Sequence, residues 1–215
     1  MTRRVLRKID PALDLSKHLL LPEQLPQPWS STEIFDGAAP LEIEVGSGKG
    51  LFLTQAAMKT TDHNFLGIEI AARYAKYSAA RVARAGLANA RMIYGNAERI
   101  FAEILPDGCA TAVHIYFPDP WWKKRHHKRR VMNDLFLRQV ERVLQAGGSL
   151  HFWTDVEEYF VAAMERIRTA TTLSGPISVP EREAQHDLDF QTHFERRTRL
   201  HGEAVFRSEF RKANR

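Results

Sequence analysis

From Leu41 onward, short apolar runs alternate with longer stretches that keep a helical period. LEIEV runs into a glycine turn and is followed by LFLTQAAMK; NFLGIEI is followed by AARYAKYSAARVARAG, stopped by Gly86. ARMIYGNA precedes AERIFAEIL, and TAVHIYFPD is rich in β-branched and aromatic residues. Met132, Phe136, Val140 and Val143/Leu144 then keep helical spacing, predicted to end at Gly147–Gly148, before SLHFWTD and VEEYFVAAMERI. Strands alternating with helices of about a dozen residues predict an α/β fold: a doubly wound, mostly parallel sheet with helices on both faces. QTHFERRTRL and EAVFRSEFRK, joined around His201–Gly202, read as a C-terminal antiparallel hairpin on one edge. In such sheets ligands sit beyond the C-terminal strand ends, near the switch in strand order.

Half of the ten prolines lie in the first forty residues, which reads as an irregular lead-in arm over 1–40 ahead of a single domain over 41–215. The lone cysteine, Cys109, cannot close an internal disulfide. No apolar run reaches membrane-spanning length, and Asp10, Pro11 and Asp14 stand where a signal peptide needs its apolar region. The expected setting is the cytoplasm, with no membrane partner. The net charge is +5, yet residues 123–130 alone carry six Lys/Arg and no acid, so the rest of the chain sums to −1. The basicity is a patch, and a patch attracts phosphate backbones by counterion release.

Candidate chemistry gathers at the strand ends. In Glu44-Val45-Gly46-Ser47-Gly48-Lys49-Gly50, glycines at a strand-to-helix turn let a ligand approach the backbone. The sequence lacks the Ser/Thr of a phosphate-binding P-loop after Lys49, and its G-x-G-x-G departs from the G-x-G-x-x-G dinucleotide fingerprint. Glu44 before that turn suits a cationic or hydroxyl-bearing ligand rather than a pyrophosphate. Glu69, ending the second strand, can hold both hydroxyls of a ribose, and the amide of Asn96 can read an adenine edge. Asp119 and Asp155 end the next two. Singly, each has a plainer reading, Glu69, Asn96 or Asp155 as a helix cap and Glu44 as a surface acid; together they favour a ribonucleoside-type cofactor.

The stretch FPDPWWKKRHHKRR, in register with EVGSGKG, GIE, GNA, Trp153-Thr154-Asp155 and Thr192-His193-Phe194-Glu195, resembles the signature of the bacterial tRNA (guanine-N7)-methyltransferase family, within the S-adenosylmethionine-dependent methyltransferases. The resemblance runs from about Leu41 to Phe210 and implies a Rossmann-like fold, S-adenosylmethionine as cofactor, tRNA as partner and a guanine of the tRNA variable loop as target. It further implies that Glu44, Glu69, Asn96 and Asp119 contact the cofactor, with Gly46 and Gly48 in the turn and Asp119 also catalytic. Lys123, Asp155, Thr192 and Glu195 would bind the substrate nucleotide, and Trp122 stands where members vary.

Guanine N7 carries a free lone pair, so the reaction needs in-line positioning and negative charge near the purine rather than a strong base. No metal is expected; the nine histidines form no ligand set. Pro118 and Pro120 restrict Asp119, and Trp121 reads either as a base-stacking platform or as a core residue under the loop. Lys124, Arg125, His126, Lys128, Arg129 and Arg130 would form an RNA-contacting patch, with Arg196, Arg197 and Arg199 widening it. The competing readings are a methyltransferase of another substrate, a non-catalytic RNA-binding protein and an NAD-linked oxidoreductase. Either a monomer or a homodimer fits.

Overall fold

A computed structural model describes Leu6, residues 8–181 and residues 190–214; the side chains of Lys124 and Lys128 lie outside the described set. Continuous apolar segments bounded by turns become β2 (Leu41–Val45), β3 (Asn64–Glu69), β4 (Ala90–Tyr94), β5 (Ala110–Tyr116) and β6 (Leu144–Thr154). β3 is buried along its whole length, as expected of a strand covered on both faces. β1 (Leu19–Leu20), β7 (Ser174–Ser178) and β8 (Phe206–Arg211) complete a sheet of order β1-β4-β3-β2-β5-β6-β8-β7. The first six strands in that order run parallel, and β8 lies antiparallel to both β6 and β7. Chain order reverses between β2 and β5, which places the switch point, and hence the expected crevice, between their C-terminal ends.

The helices are α1 (Ser31–Ile34), α2 (Leu51–Lys59), α3 (Ala72–Arg84), α4 (Ala97–Glu103), α5 (Asp134–Val143), α6 (Glu157–Ala170) and α7 (His193–Leu200). α2 and α3 cover one face through Leu53, Ala57, Ala75, Ala79 and Val82 on Phe65 and Met92. The other face is a larger core in which Ile100, Phe136, Val140, Tyr159 and Ile167 of α4–α6 meet Ile43, Val113, Ile115, Leu150 and Phe152. The closest approach lies at Gly50, with φ of +67° at the start of α2. A β-carbon there would come within 2.0 Å of Ser78 Oγ in α3, so only glycine fits.

Three details differ from the sequence reading. The stretch expected as the first strand of the C-terminal hairpin is helix α7, and the antiparallel partner of β8 at the sheet edge is Ser174–Ser178. The helix expected to reach Gly147 ends at Val143; both glycines lie inside β6, Gly147 at φ +74°, where the pairing with β5 shifts register. The lead-in is tied to the sheet: Leu19 and Leu20 pair with Met92 and Ile93, and Leu25 and Phe35 are buried in the larger core. Arg91 holds it there, donating from Nε to the Ile34 carbonyl at 3.1 Å and lying over the Phe35 ring.

Candidate active site

Three left-handed glycines, Gly46, Gly48 and Gly50, shape the turn that follows β2. Glu69, at the end of the neighbouring β3, clamps it. One carboxylate oxygen accepts from the Gly48 N–H at 2.8 Å, and the other accepts from the Ala71 N–H at 2.8 Å. Each oxygen retains a lone pair, so the clamp leaves acceptor capacity toward the crevice. Glu44 is no surface acid. It is 4% exposed, and its Oε2 has no hydrogen-bond partner among the described residues. Burial pushes its carboxyl up to about 7, with the charge of Glu69 adding to the effect. A buried acceptor left unmatched costs about 1–3 kcal/mol, which an incoming hydroxyl or cation would recover. Asn96 caps α4, its side-chain oxygen accepting from the Glu98 N–H at 2.8 Å, so the plainer reading of this residue is realised.

The loop after β5 is bracketed by two non-glycine residues in the left-handed region, Phe117 at φ +49° and Trp121 at φ +46°. Each costs on the order of 1–3 kcal/mol and persists only where the surroundings enforce it. Here the Phe117 N–H donates to the Trp153 carbonyl at 2.8 Å, and Arg130 Nε donates to the Pro120 carbonyl at 2.7 Å. The Arg130 guanidinium also lies 4.7 Å from the Tyr159 ring centroid and meets His127 Nε2 at 3.1 Å. Arg130 is therefore engaged within the protein, whereas Lys123, Arg125 and Arg129 are exposed. Asp119 is exposed at the loop's crest. Trp121 is half-buried, edge-on to His126 at 5.7 Å, with Arg129 over its ring at 5.0 Å; Trp122 is 71% exposed.

Thr-x-x-Glu builds the third wall. Thr192 caps α7 by accepting from the Glu195 N–H at 3.0 Å, and Glu195 Oε2 accepts from the Gln191 N–H at 2.6 Å. The buried Glu195 also binds Arg207 at 3.1 Å and Arg199 at 3.4 Å. Its carboxylate is thus committed inside the protein, and the capping-box signature was the signal that this stretch is a helix. Asp155, at the end of β6, does not cap α6; its Oδ2 accepts from Thr198 of α7 at 3.4 Å. Phe194 stacks on Phe117 at 6.1 Å, which joins α7 to the Asp119 loop.

Sequence reading missed a polar layer under the crevice. Glu42 accepts from His63 Nδ1 at 2.7 Å and pairs with His114 Nε2 at 2.6 Å, and His114 Nδ1 meets the Tyr116 hydroxyl at 2.9 Å. Burial alone would raise Glu42, but the two imidazoles hold it below the usual carboxylate range. Burial pushes the stacked neighbour His151 down to about 3. Alternation over β2 and β5 was the available sign: Glu42 and Glu44 share one face, as do His114 and Tyr116.

Comparison with known proteins gives consistent matches. A family model described as "Putative methyltransferase" matches residues 38–208. The tRNA (guanine-N(7)-)-methyltransferase of Rhodopirellula baltica is 49% identical over 99% of this chain and 80% of its own length. The enzyme of that name from Alcanivorax borkumensis is 36% identical over 80% of this chain and 72% of its own length. Among solved structures, a 16S rRNA (adenine(1408)-N(1))-methyltransferase mutant from Catenulisporales acidiphilia, with cosubstrate SAM, aligns with a TM-score of 0.58 at 18% identity. The alignment covers 83% of this chain and 88% of that one, a likeness of fold.

Proposed function

Because the chain belongs to the tRNA (guanine-N(7)-)-methyltransferase family, we propose that it transfers a methyl group from S-adenosylmethionine to N7 of a guanine in the variable loop of tRNA. The observation that carries this reading is the pairing of a buried, unmatched Glu44 carboxyl at a glycine turn with a strained loop presenting Asp119. Residues at that turn fit the cofactor. Glu44 offers an acceptor to a cationic or hydroxyl group, Gly46 and Gly48 give access to the backbone, and Glu69 and Asn96 have acceptor and donor capacity left for a ribose and a base. When bound, the cofactor supplies an electrophilic methyl group on a sulfonium.

The chain's own work is positioning. Asp119 sets negative charge beside a purine that gains positive charge as N7 is alkylated, and the neutral lone pair of N7 makes a base unnecessary. Lys123 and Asp155 border the target nucleotide, while Thr192 and Glu195 serve it by building α7. Lys123, Arg125 and Arg129 neutralise tRNA phosphates without reading sequence. The protein works as a monomer or homodimer in the cytoplasm. The test is incubation with labelled S-adenosylmethionine and unmodified tRNA, followed by nucleoside mapping. Label in 7-methylguanosine from the variable loop is expected; label elsewhere, or none, overturns the reading.

A further inference from the structure

α3 (Ala72–Arg84) carries Arg73, Lys76, Arg81 and Arg84 and no carboxylate. Its buried residues are the small Ala75, Ser78, Ala79 and Ala80 with Val82, while the long side chains of Arg73, Lys76 and Arg84 are exposed and Tyr77 is half-buried between them. Several exposed arginines elsewhere on the fold are neutralised, Arg99 by Glu103, Arg166 by Asp134, Arg168 by Glu165 and Arg211 by Glu209, whereas Arg125 and Arg129 of the basic block, like Arg138 and Arg197, are exposed without a carboxylate partner among the described residues. Among the described residues, Arg73, Lys76 and Arg84 pair with no carboxylate. No large hydrophobic residue is exposed within Ala72–Arg84 itself, Ile70 two residues ahead being the nearest, whereas a protein partner would need an apolar anchor at the centre of its contact. Unpaired point charges without such an anchor suit a phosphate backbone.

The helix also continues the proposed RNA surface. Arg81 Nη1 donates to the Lys49 carbonyl at 3.4 Å and meets His193 Nε2, at the start of α7, at 3.1 Å. The next residue, Phe194, stacks on Phe117 and carries Arg197 over its ring at 5.2 Å. Phe117 begins the loop that presents Asp119 and leads into the basic block. Side-chain contacts thus join α3 to α7 and α7 to Phe117, from which the chain runs on to residues 123–130.

We propose that the solvent face of α3, through Arg73, Lys76 and Arg84, is a second phosphate-contacting surface that holds a part of the tRNA outside the target loop. The proposal rests on tRNA being the substrate. Its test is the variant R73Q/K76Q/R84Q, with tRNA affinity measured from about 0.05 to 0.3 M salt, beside R99Q/R166Q/R168Q, which removes the same charge from paired positions. The α3 variant is expected to lower the salt slope by about 2 to 3 and to weaken binding about tenfold near 0.15 M, with kcat at saturating tRNA and thermal unfolding unchanged. An unchanged slope and affinity in the α3 variant, or an equal loss in the control variant, overturns it. Wild-type protein that neither binds nor methylates tRNA overturns the functional reading itself. Wild-type activity with an indifferent α3 variant overturns this inference alone.

Discussion

Arg130 Nε donates to the Pro120 carbonyl at 2.7 Å, so the last residue of the basic block is fastened to the proline that follows Asp119. The same guanidinium packs on Tyr159 of α6, whose hydroxyl accepts from the Met132 N–H at 3.4 Å. A residue that composition alone assigns to RNA is a brace for the acid-bearing loop. Arg130→Gln is expected to lower kcat about 10- to 100-fold, the usual cost of misplacing a reacting group by about 1 Å. The salt slope of tRNA binding should barely move. A lost slope with kcat preserved would return Arg130 to the RNA surface.

Asp119 is exposed and makes no ion pair among the described residues, so its removal should leave the fold intact. Asp119→Ala is expected to cut turnover by at least about 100-fold, within the range for losing one preorganised electrostatic group. tRNA binding should remain within about threefold of wild type. Single-turnover methylation and equilibrium binding on the same preparation check both halves.

Glu44 makes stability depend on pH. Its folded carboxyl is raised from 4.5 to about 7, so the native state holds the proton more tightly than the unfolded chain. Stability is therefore full below about 4.5 and falls as pH rises through about 7, a loss on the order of 3 kcal/mol. Glu44→Gln is expected to raise the melting temperature at pH 8 by several degrees and to change it little at pH 4. The same variant should lose most of the thermal shift that S-adenosylmethionine gives the wild type. Melting curves at both pH values, with and without that ligand, decide the matter.

Thr192 and Glu195 act on α7 before they act on any substrate. Thr192→Ala should cost about 1 kcal/mol of stability through the lost cap. Glu195→Ala removes one of the two carboxylates on the buried Arg207, Glu181 remaining at 3.2 Å, and should cost about 1–3 kcal/mol. Chemical denaturation measures both. Wild-type stability with a raised KM would show that these residues serve the nucleotide directly.

The parallel core was legible because strands covered on both faces read as unbroken apolar runs, as in NFLGIE, and because glycines mark the turn after β2. The candidate site was legible as residue types at strand ends, but not as partners. Nothing in the spelling of Arg130 separates a guanidinium bound to a carbonyl from one bathed in water. HFERRTRL reads as a strand because its two apolar residues, Phe194 and Leu200, carry no helical period over about two turns, and the Thr-x-x-Glu cap that opens it is the better signal. The edge strands at Leu19–Leu20 and Ser174–Ser178 are too short or too exposed to leave a period-two pattern.

The left-handed backbone at Phe117 and Trp121 has a consequence for how the native ensemble breathes. Conformational energy stored on both sides of Asp119 is released whenever the loop lets go of Trp153 and Arg130, so this segment opens at less free-energy cost than the sheet beneath it. The backbone that carries the acid is thus expected to open locally, and its amide hydrogens to exchange before those of the core strands, as amide hydrogen exchange would measure.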